Sequence, residues 1–220
     1  MNAQQAARAI DEGVRALGQQ LPPGASAKMA SLLMELRRWN ERFNLTSIDS
    51  AEAMVAGHVL DSLAVRPFLN GTSLLDIGTG AGFPGLPLAL AEPSLRVELL
   101  DSNGKKIAFV RHLIARLEVG NAAAVKARVE HYAPGTGFDT VVARAFAAIP
   151  EMVKLAAPLV GAGGVLLALK GKYPQEELRQ LSSMNDLSNL WDYNVTEITV
   201  PGLDSHARHI VSLRRRGTGL

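Results

Sequence analysis

Residues 74–85 read Leu-Leu-Asp-Ile-Gly-Thr-Gly-Ala-Gly-Phe-Pro-Gly, a short apolar run that ends in four glycines spread over eight positions. So short a run suits a strand buried on both faces of a sheet. Glycines at this density permit a tight turn and a close approach of backbone to a ligand. Pro84 suits the first position of a helix leaving the turn. Strand, glycine turn and helix in this order belong to α/β folds that bind nucleotides where a strand hands over to a helix.

The rest of the chain must then supply a sheet, and its pattern does. Short apolar runs predict buried parallel strands over Ser73–Ile77, Arg96–Leu100, Ala122–Lys126, Phe138–Ala143 and Gly164–Leu169. Helical periodicity fills Pro84–Ala91, Lys105–Leu117, Pro150–Leu159 and Pro174–Leu181 between and after them. Such alternation demands right-handed crossovers and helices on both faces. Two further runs, about Leu190–Val200 and His209–Leu213, have no helix between them and predict a hairpin closing one edge. The sum is a mostly parallel seven-stranded α/β sheet of Rossmann-like type.

Ahead of Ser73 the periodicity is helical throughout. Met29, Leu32, Leu33, Leu36, Trp39 and Phe43 form one apolar stripe, which places Trp39 and Phe43 in the core. Asp49 with Glu52 resembles a capping box opening a helix through Met54, Val59 and Leu63, and Pro67 ends it. The expected division is an N-terminal helical extension, 1–69, followed by a ligand-binding domain, 70–220.

Composition narrows the chemistry. The 220 residues include no cysteine, which excludes disulfides, thiolate metal sites and a cysteine nucleophile. No pair of histidines has metal-ligand spacing with a carboxylate, so no metal is expected. Met1–Gln20 mixes charges with alanines, unlike a secretory signal, and the apolar stretches are too short to span a bilayer. A cytoplasmic monomer without membrane contact is expected. The formal net charge of +2 does not by itself point to nucleic acid. Local clusters do offer phosphate contacts: Lys170 with Lys172, the Arg214-Arg215-Arg216 run, and Arg37, Arg38 and Arg42 on one helix. For Lys170, simple solvation is the competing reading.

Asp101 ends the second strand, 23 residues after Gly78, where a carboxylate can accept hydrogen bonds from ribose hydroxyls. Gly80 to Gly85 also satisfies the dinucleotide fingerprint, so a nicotinamide reductase is the first alternative. Position favours another ligand. The first tight turn belongs to Gly78, Gly80 and Gly82, and Asp76 lies two residues before it. A carboxylate there suits the ammonium of a methionyl group and is a poor neighbour for a pyrophosphate. S-adenosylmethionine is therefore the expected cofactor, and no Ser–Tyr–Lys or His–Arg relay supports the reductase. Phe83, an apolar ring within the glycine turn, is expected to touch cofactor or target.

The segment Leu74 to Gly85, with its Phe83-Pro84-Gly85 extension, resembles the signature loop of the bacterial rRNA guanine-N7 methyltransferases first called glucose-inhibited division protein B. Leu100-Asp101-Ser102 with Lys105-Lys106, Arg128-Val129-Glu130, Arg144-Ala145 and Leu169-Lys170-Gly171 match in order. So do Asn44-Leu45-Thr46 and His58-x-x-Asp61-Ser62-Leu63 in the helical leader. The resemblance spans nearly the whole chain, weakest before about Ala27 and between Gln180 and Pro201. It implies a class I S-adenosylmethionine-dependent methyltransferase acting on N7 of a guanine in 16S rRNA of the small ribosomal subunit. It also implies that Gly78 and Phe83 line the cofactor pocket, that Val129 and Glu130 flank the adenine, and that Arg144 sits at the cofactor or target end of strand four.

The chemistry is consistent with that family. Guanine N7 carries a lone pair at neutral pH, so no base has to remove a proton, and catalysis reduces to proximity and alignment. The chain lacks the cysteine that methylation at cytosine C5 requires. The end of strand four reads Val142-Ala143-Arg144-Ala145-Phe146, not the Asn/Asp-Pro-Pro-aromatic turn that grips an exocyclic amine. Arginine is the usual partner of the guanine O6/N7 edge, so Arg144 is a candidate for the target as well as for the cofactor. His58, among apolar neighbours, reads as a hydrogen-bonded interior residue, and His112 and His131 as surface residues. A noncatalytic, cofactor-sensing RNA-binding protein shares every pocket residue and is the second alternative.

Overall fold

A computed structural model describes residues 1–184, 190–203 and 207–216. The leader folds as α1 (Ala3–Ala16) and α2 (Ala25–Phe43), then a continuous helical stretch made of α3 (Ala51–Met54), a π-helical segment (Val55–Leu60) and α4 (Asp61–Leu63). The cap of α3 is Ser50, whose side chain accepts from the Ala53 amide, one residue later than the Asp49 box predicts. The shorter hydroxyl reaches the amide three residues on.

Thereafter come β1 (Ser73–Ile77), α5 (Gly85–Ala91), β2 (Arg96–Asp101), α6 (Gly104–Arg116), β3 (Ala122–Lys126) and β4 (Phe138–Arg144). α7 (Ile149–Ala156), β5 (Val160–Lys170), α8 (Gln175–Ser183), β6 (Trp191–Ile198) and β7 (Arg208–Arg215) follow. Pro84 occupies the N-cap position of α5, just outside the first turn. The sheet order is β3-β2-β1-β4-β5-β7-β6. β1 to β5 pair in parallel, and β7 runs antiparallel to both β5 and β6, so the predicted edge pair is present. β3, read from sequence as buried, is the opposite edge and is half exposed. The end of the expected 70–220 unit, residues 217–220, lies outside the described residues.

Alternation along the strands sorts side chains between two cores. Leu74, Val97, Leu99, Val142 and Leu167 face one layer, where they meet α1, α2, the π-helical segment, α5 and α6. Leu75, Ile77, Leu100, Val141 and Leu166 face the other, against α7 and α8. The leader thus shares a core with the sheet: Ile10, Met29, Leu33 and Val59 are fully buried in the same cluster as Leu74 and Leu99. Trp39 packs on the Phe109 and His112 rings, 5.2 and 5.3 Å away. Phe43 departs from expectation. It is 40% exposed, because the apolar stripe runs out at the last residue of α2.

Strand order reverses between β1 and β4, which places a crevice beyond their carboxyl ends. Every candidate residue has to be judged by its distance from that crevice.

Candidate active site

The glycine turn is built as its sequence demands. Gly78, Gly80 and Gly82 have φ of 67, 61 and 96°, left-handed values that side chains resist. A Cβ on Gly78 would stand 2.7 Å from the Phe146 ring, so bulk is excluded there as well. The turn is tied to β2: the Gly78 and Thr79 amides both donate to the Leu100 carbonyl, at 2.8 and 3.0 Å. Asp101 continues the tie, accepting from the Gly80 amide at 3.0 Å and, through its other oxygen, from the Asn103 amide at 2.8 Å.

Asp76 is placed differently from the sequence reading. Its carboxylate is completely buried beneath the turn, where Oδ2 accepts from Thr79 Oγ1 at 2.6 Å and from the Gly85 amide at 2.8 Å. It does not line the cleft, so it is not placed to meet an ammonium there. It holds the turn to α5 instead. Burial raises its pKa to about 6, against the opposing pull of those two hydrogen bonds. Oδ1 has no partner among the described residues.

The cleft itself, about 320 Å³, opens over the ends of β1 and β2 and is walled by Gly78, Asp101, Lys106, Val129, Glu130 and Phe146. Gly78, Asp101, Val129 and Glu130 are therefore together, as predicted. Gly80 and Gly82 shape the turn without lining the cleft, and Arg144 is not among its walls. Phe146 carries no distinguishing sequence signal, and Lys106 enters only through the family resemblance. Phe146 becomes legible only through the bare Gly78 that it covers.

Phe83 also departs from expectation. The sequence offers it no evident packing partner, yet it is 3% exposed and stacks on the His58 ring with centroids 4.5 Å apart. The partner comes from the leader, which the local sequence cannot reveal. His58 is buried as expected. Its Nε2 lies 2.9 Å from Thr46 Oγ1, and its Nδ1 lies 3.5 Å from Arg144 Nη2. A guanidinium can only donate, so Nδ1 is the acceptor and Nε2 carries the proton. Burial, with the Arg144 charge second, lowers the His58 pKa to about 4, so the ring is neutral at pH 7.

Arg144 turns toward the leader. Its Nη1 donates to the Gly57 carbonyl at 3.0 Å and to Asp61 Oδ2 at 3.2 Å, and its guanidinium lies 5.6 Å from the Phe83 ring centre. Asp61 Oδ1 accepts from Arg208 Nε at 2.9 Å. Asp61 and Arg208 go unremarked in the sequence as site residues; only the His58-x-x-Asp61 spacing on one helical face hints at the first. Together they border a second cavity of about 370 Å³, with Leu169, His209 and Ile210 on its far side. Ala145 belongs to both cavities, so the end of β4 is the wall between them.

The predicted phosphate contacts fare unevenly. Lys170 donates to Glu177 at 2.7 Å and to the Ala147 carbonyl at 3.0 Å, with its side chain 17% exposed, so it ties β5 to α7 and α8 instead of standing free. Lys172 is exposed. Arg214, Arg215 and Arg216 lie at the end of the sheet away from the crevice. Arg214 pairs in register with Val165 whereas His209 pairs with Lys170, and five residues of strand put them about 17 Å from the crevice. Arg215 lies over the Trp191 ring and Arg216 pairs with Asp192 at 2.8 Å. Among the described residues no helix is long and apolar enough to cross a membrane, and no three His, Asp or Glu are grouped to hold a metal.

Comparison with known proteins covers the same ground. Residues 25–211 match the family described as GidB, rRNA small subunit methyltransferase G. A ribosomal RNA small subunit methyltransferase G of Alkalilimnicola ehrlichii is 45% identical over 93% of this chain and 90% of its own. The protein of that name from Nitrosococcus oceani is 39% identical over 96% and 95%. Among solved structures, a Klebsiella pneumoniae protein provisionally designated an O-methyltransferase superposes with a TM-score of 0.58 at 14% identity, over 98% of this chain and 99% of that one. That likeness extends the fold to the helical leader.

Proposed function

The chain belongs to the rRNA small subunit methyltransferase G family, and from that premise we propose that it transfers the methyl group of S-adenosylmethionine to N7 of a guanine in 16S rRNA. The observation that carries the reading is the cleft at the switch point, with a bare glycine turn on one side and Asp101 and Val129 on the other. The residues fit the cofactor by chemistry. Each Asp101 oxygen keeps a lone pair after its one backbone bond, so ribose hydroxyls have acceptors. Val129 offers an apolar surface to the adenine, and Glu130 and Lys106 are polar groups at the rim.

When bound, S-adenosylmethionine would supply an electrophilic methyl on a sulfonium, and guanine N7 would meet it with a lone pair that needs no prior deprotonation. The protein's task is then to hold, align and exclude water. Its ionisable groups near the crevice are arranged accordingly. Both oxygens of Asp61 are held by arginines, and His58 is neutral with both nitrogens engaged. Neither is poised as a base.

We assign the catalytic unit to residues 70–220 and read the extension, 1–69, as the wall that completes the target side. We place its work in the cytoplasm, where the small ribosomal subunit is made, and read it as a monomer. The nicotinamide alternative gains no supporting observation. Mass mapping of 16S rRNA from cells with and without this gene tests the reading. A single N7-methylguanine missing without the gene is expected, and an unchanged methylation map would overturn it.

A further inference from the structure

A second cavity lies beside the cleft at the glycine turn, and Ala145 lines both. Its walls come from elements far apart in sequence. Ile48, Gly57, His58 and Asp61 are contributed by the leader, Leu169 to Gly171 by the end of β5, and Arg208 to Ile210 by the start of β7. Ile48, Leu169 and Ile210 give it apolar faces. Against these stand two guanidiniums sharing one buried carboxylate, so the Asp61, Arg144 and Arg208 group carries a net positive charge. Arg208 spends Nε on Asp61 and Nη1 on the Ala207 carbonyl, which leaves Nη2 unspent among the described residues. The buried Nδ1 of His209 also has no partner among the described residues. An apolar slot with a few convergent polar groups, about 370 Å³ in volume, is the usual form of a small-molecule or base site.

We propose that this second cavity receives the target guanine, extruded from its RNA, with Arg144 and Arg208 presenting donors to the O6 acceptor while Ile48, Leu169 and Ile210 enclose the ring. The inference rests on the methyl-transfer reading above. It adds where the base is bound and why guanine is chosen. Chemistry inside a pocket requires the base to leave its stack. Adenine presents an amino group where guanine presents O6, so it would set donor against donor. The shared Ala145 wall then brings the bound base alongside the cofactor cleft. Asp61 acts as a positioning residue, since it holds both guanidiniums in place.

Gly171→Leu is the cleanest test. A Cβ at Gly171 would meet only Arg208 Nη1, at 3.8 Å, so the added side chain enters the cavity without straining the backbone. S-adenosylhomocysteine affinity by calorimetry and the melting temperature should stay at wild-type values. Methyl transfer to unmethylated 16S rRNA should fall by about 100-fold, the scale of a misplaced reactant. Arg208→Gln, which keeps one donor, should show the same split to a smaller degree. Independently, 16S rRNA carrying 6-thioguanosine should photocrosslink in the wild-type complex to residues 169–171 or 208–210. Wild-type transfer rates in Gly171→Leu, or a crosslink confined to segments that do not line the cavity, would overturn the pocket while leaving methyl transfer intact. Parallel loss of melting temperature, cofactor affinity and transfer in both variants would reduce these residues to structural ones. A wild-type protein that binds S-adenosylhomocysteine but never methylates rRNA would sink the functional reading, and this inference with it.

Discussion

Asp76 shows how a single side chain can be read correctly as important and wrongly as to why. A carboxylate beside a glycine turn suggests a ligand's ammonium, but the turn closes over it. Two donors then reach one oxygen and none reaches the other. Its pKa, raised to about 6 chiefly by burial, has a consequence for stability. A carboxyl whose folded pKa lies above its unfolded value of 3.8 contributes stability at low pH, and that contribution is lost as pH rises through about 6. Asp76→Asn keeps an acceptor for Thr79 and Gly85 and removes the titration. Denaturant unfolding should find the two proteins closely matched near pH 4. The variant should gain on wild type by up to about 3 kcal/mol at pH 7, at 1.36 kcal/mol per pKa unit. A variant less stable than wild type at pH 7 would show that the ionised carboxylate is needed to hold the turn.

At the scale of elements, the site is a clamp between the leader and the sheet. Thr46 and His58 from the leader, Phe83 from the glycine turn and Arg144 from β4 form one connected contact. Phe83→Ala removes a ring buried in the shared core and should cost about 3 kcal/mol or more by urea unfolding. Amide exchange should quicken in residues 46–60 before it does in β1. A loss below about 1 kcal/mol would mean the ring packs more loosely than its 3% exposure implies. The clamp was beyond sequence reasoning for a definite reason. Its pairs are distant, such as Arg144 with Gly57 across 87 residues and Arg208 with Asp61 across 147, and no local period encodes them. The strands, by contrast, are nearly all legible. The bounds of β1 and β3 coincide with their apolar runs; in β1 that is burial on a sheet written directly into composition, while β3, a half-exposed edge, keeps the apolar run without the burial. β5 is the instructive exception. It begins at Val160, four residues before the predicted start, through a glycine-rich stretch where Gly137 and Gly161 backbones approach so closely that a Cβ on Gly137 would stand 2.6 Å from Gly161. Glycine there serves contact between backbones and reads as loop. In the site, Gly78 and Asp101 were legible because turn and strand-end chemistry is local, whereas Val129 and Glu130 entered only through the family resemblance. The arginine run at Arg214–Arg216 is legible as charge, but charge alone does not say which end of a strand faces the crevice.

For the whole molecule, two cavities lie side by side, one at the glycine turn and one bordered by arginines, and the proposed transfer between them is a matter of alignment. The central claim is that the nucleophile arrives already deprotonated. Single-turnover methyl transfer as a function of pH tests it most directly. His58, with its pKa lowered to about 4, stays neutral throughout and cannot produce a titration near pH 7. His209 lines the second cavity, and its buried Nδ1 has no partner among the described residues, so it is the side chain to test as a concealed base. The rate should be nearly flat between about pH 6.5 and 8.5, in wild type and in His209→Ala alike, because transfer to N7 releases no proton. A steep rise through pH 7 that disappears in His209→Ala, or in any one carboxylate variant, would contradict the account and move the target to an atom that must first lose a proton.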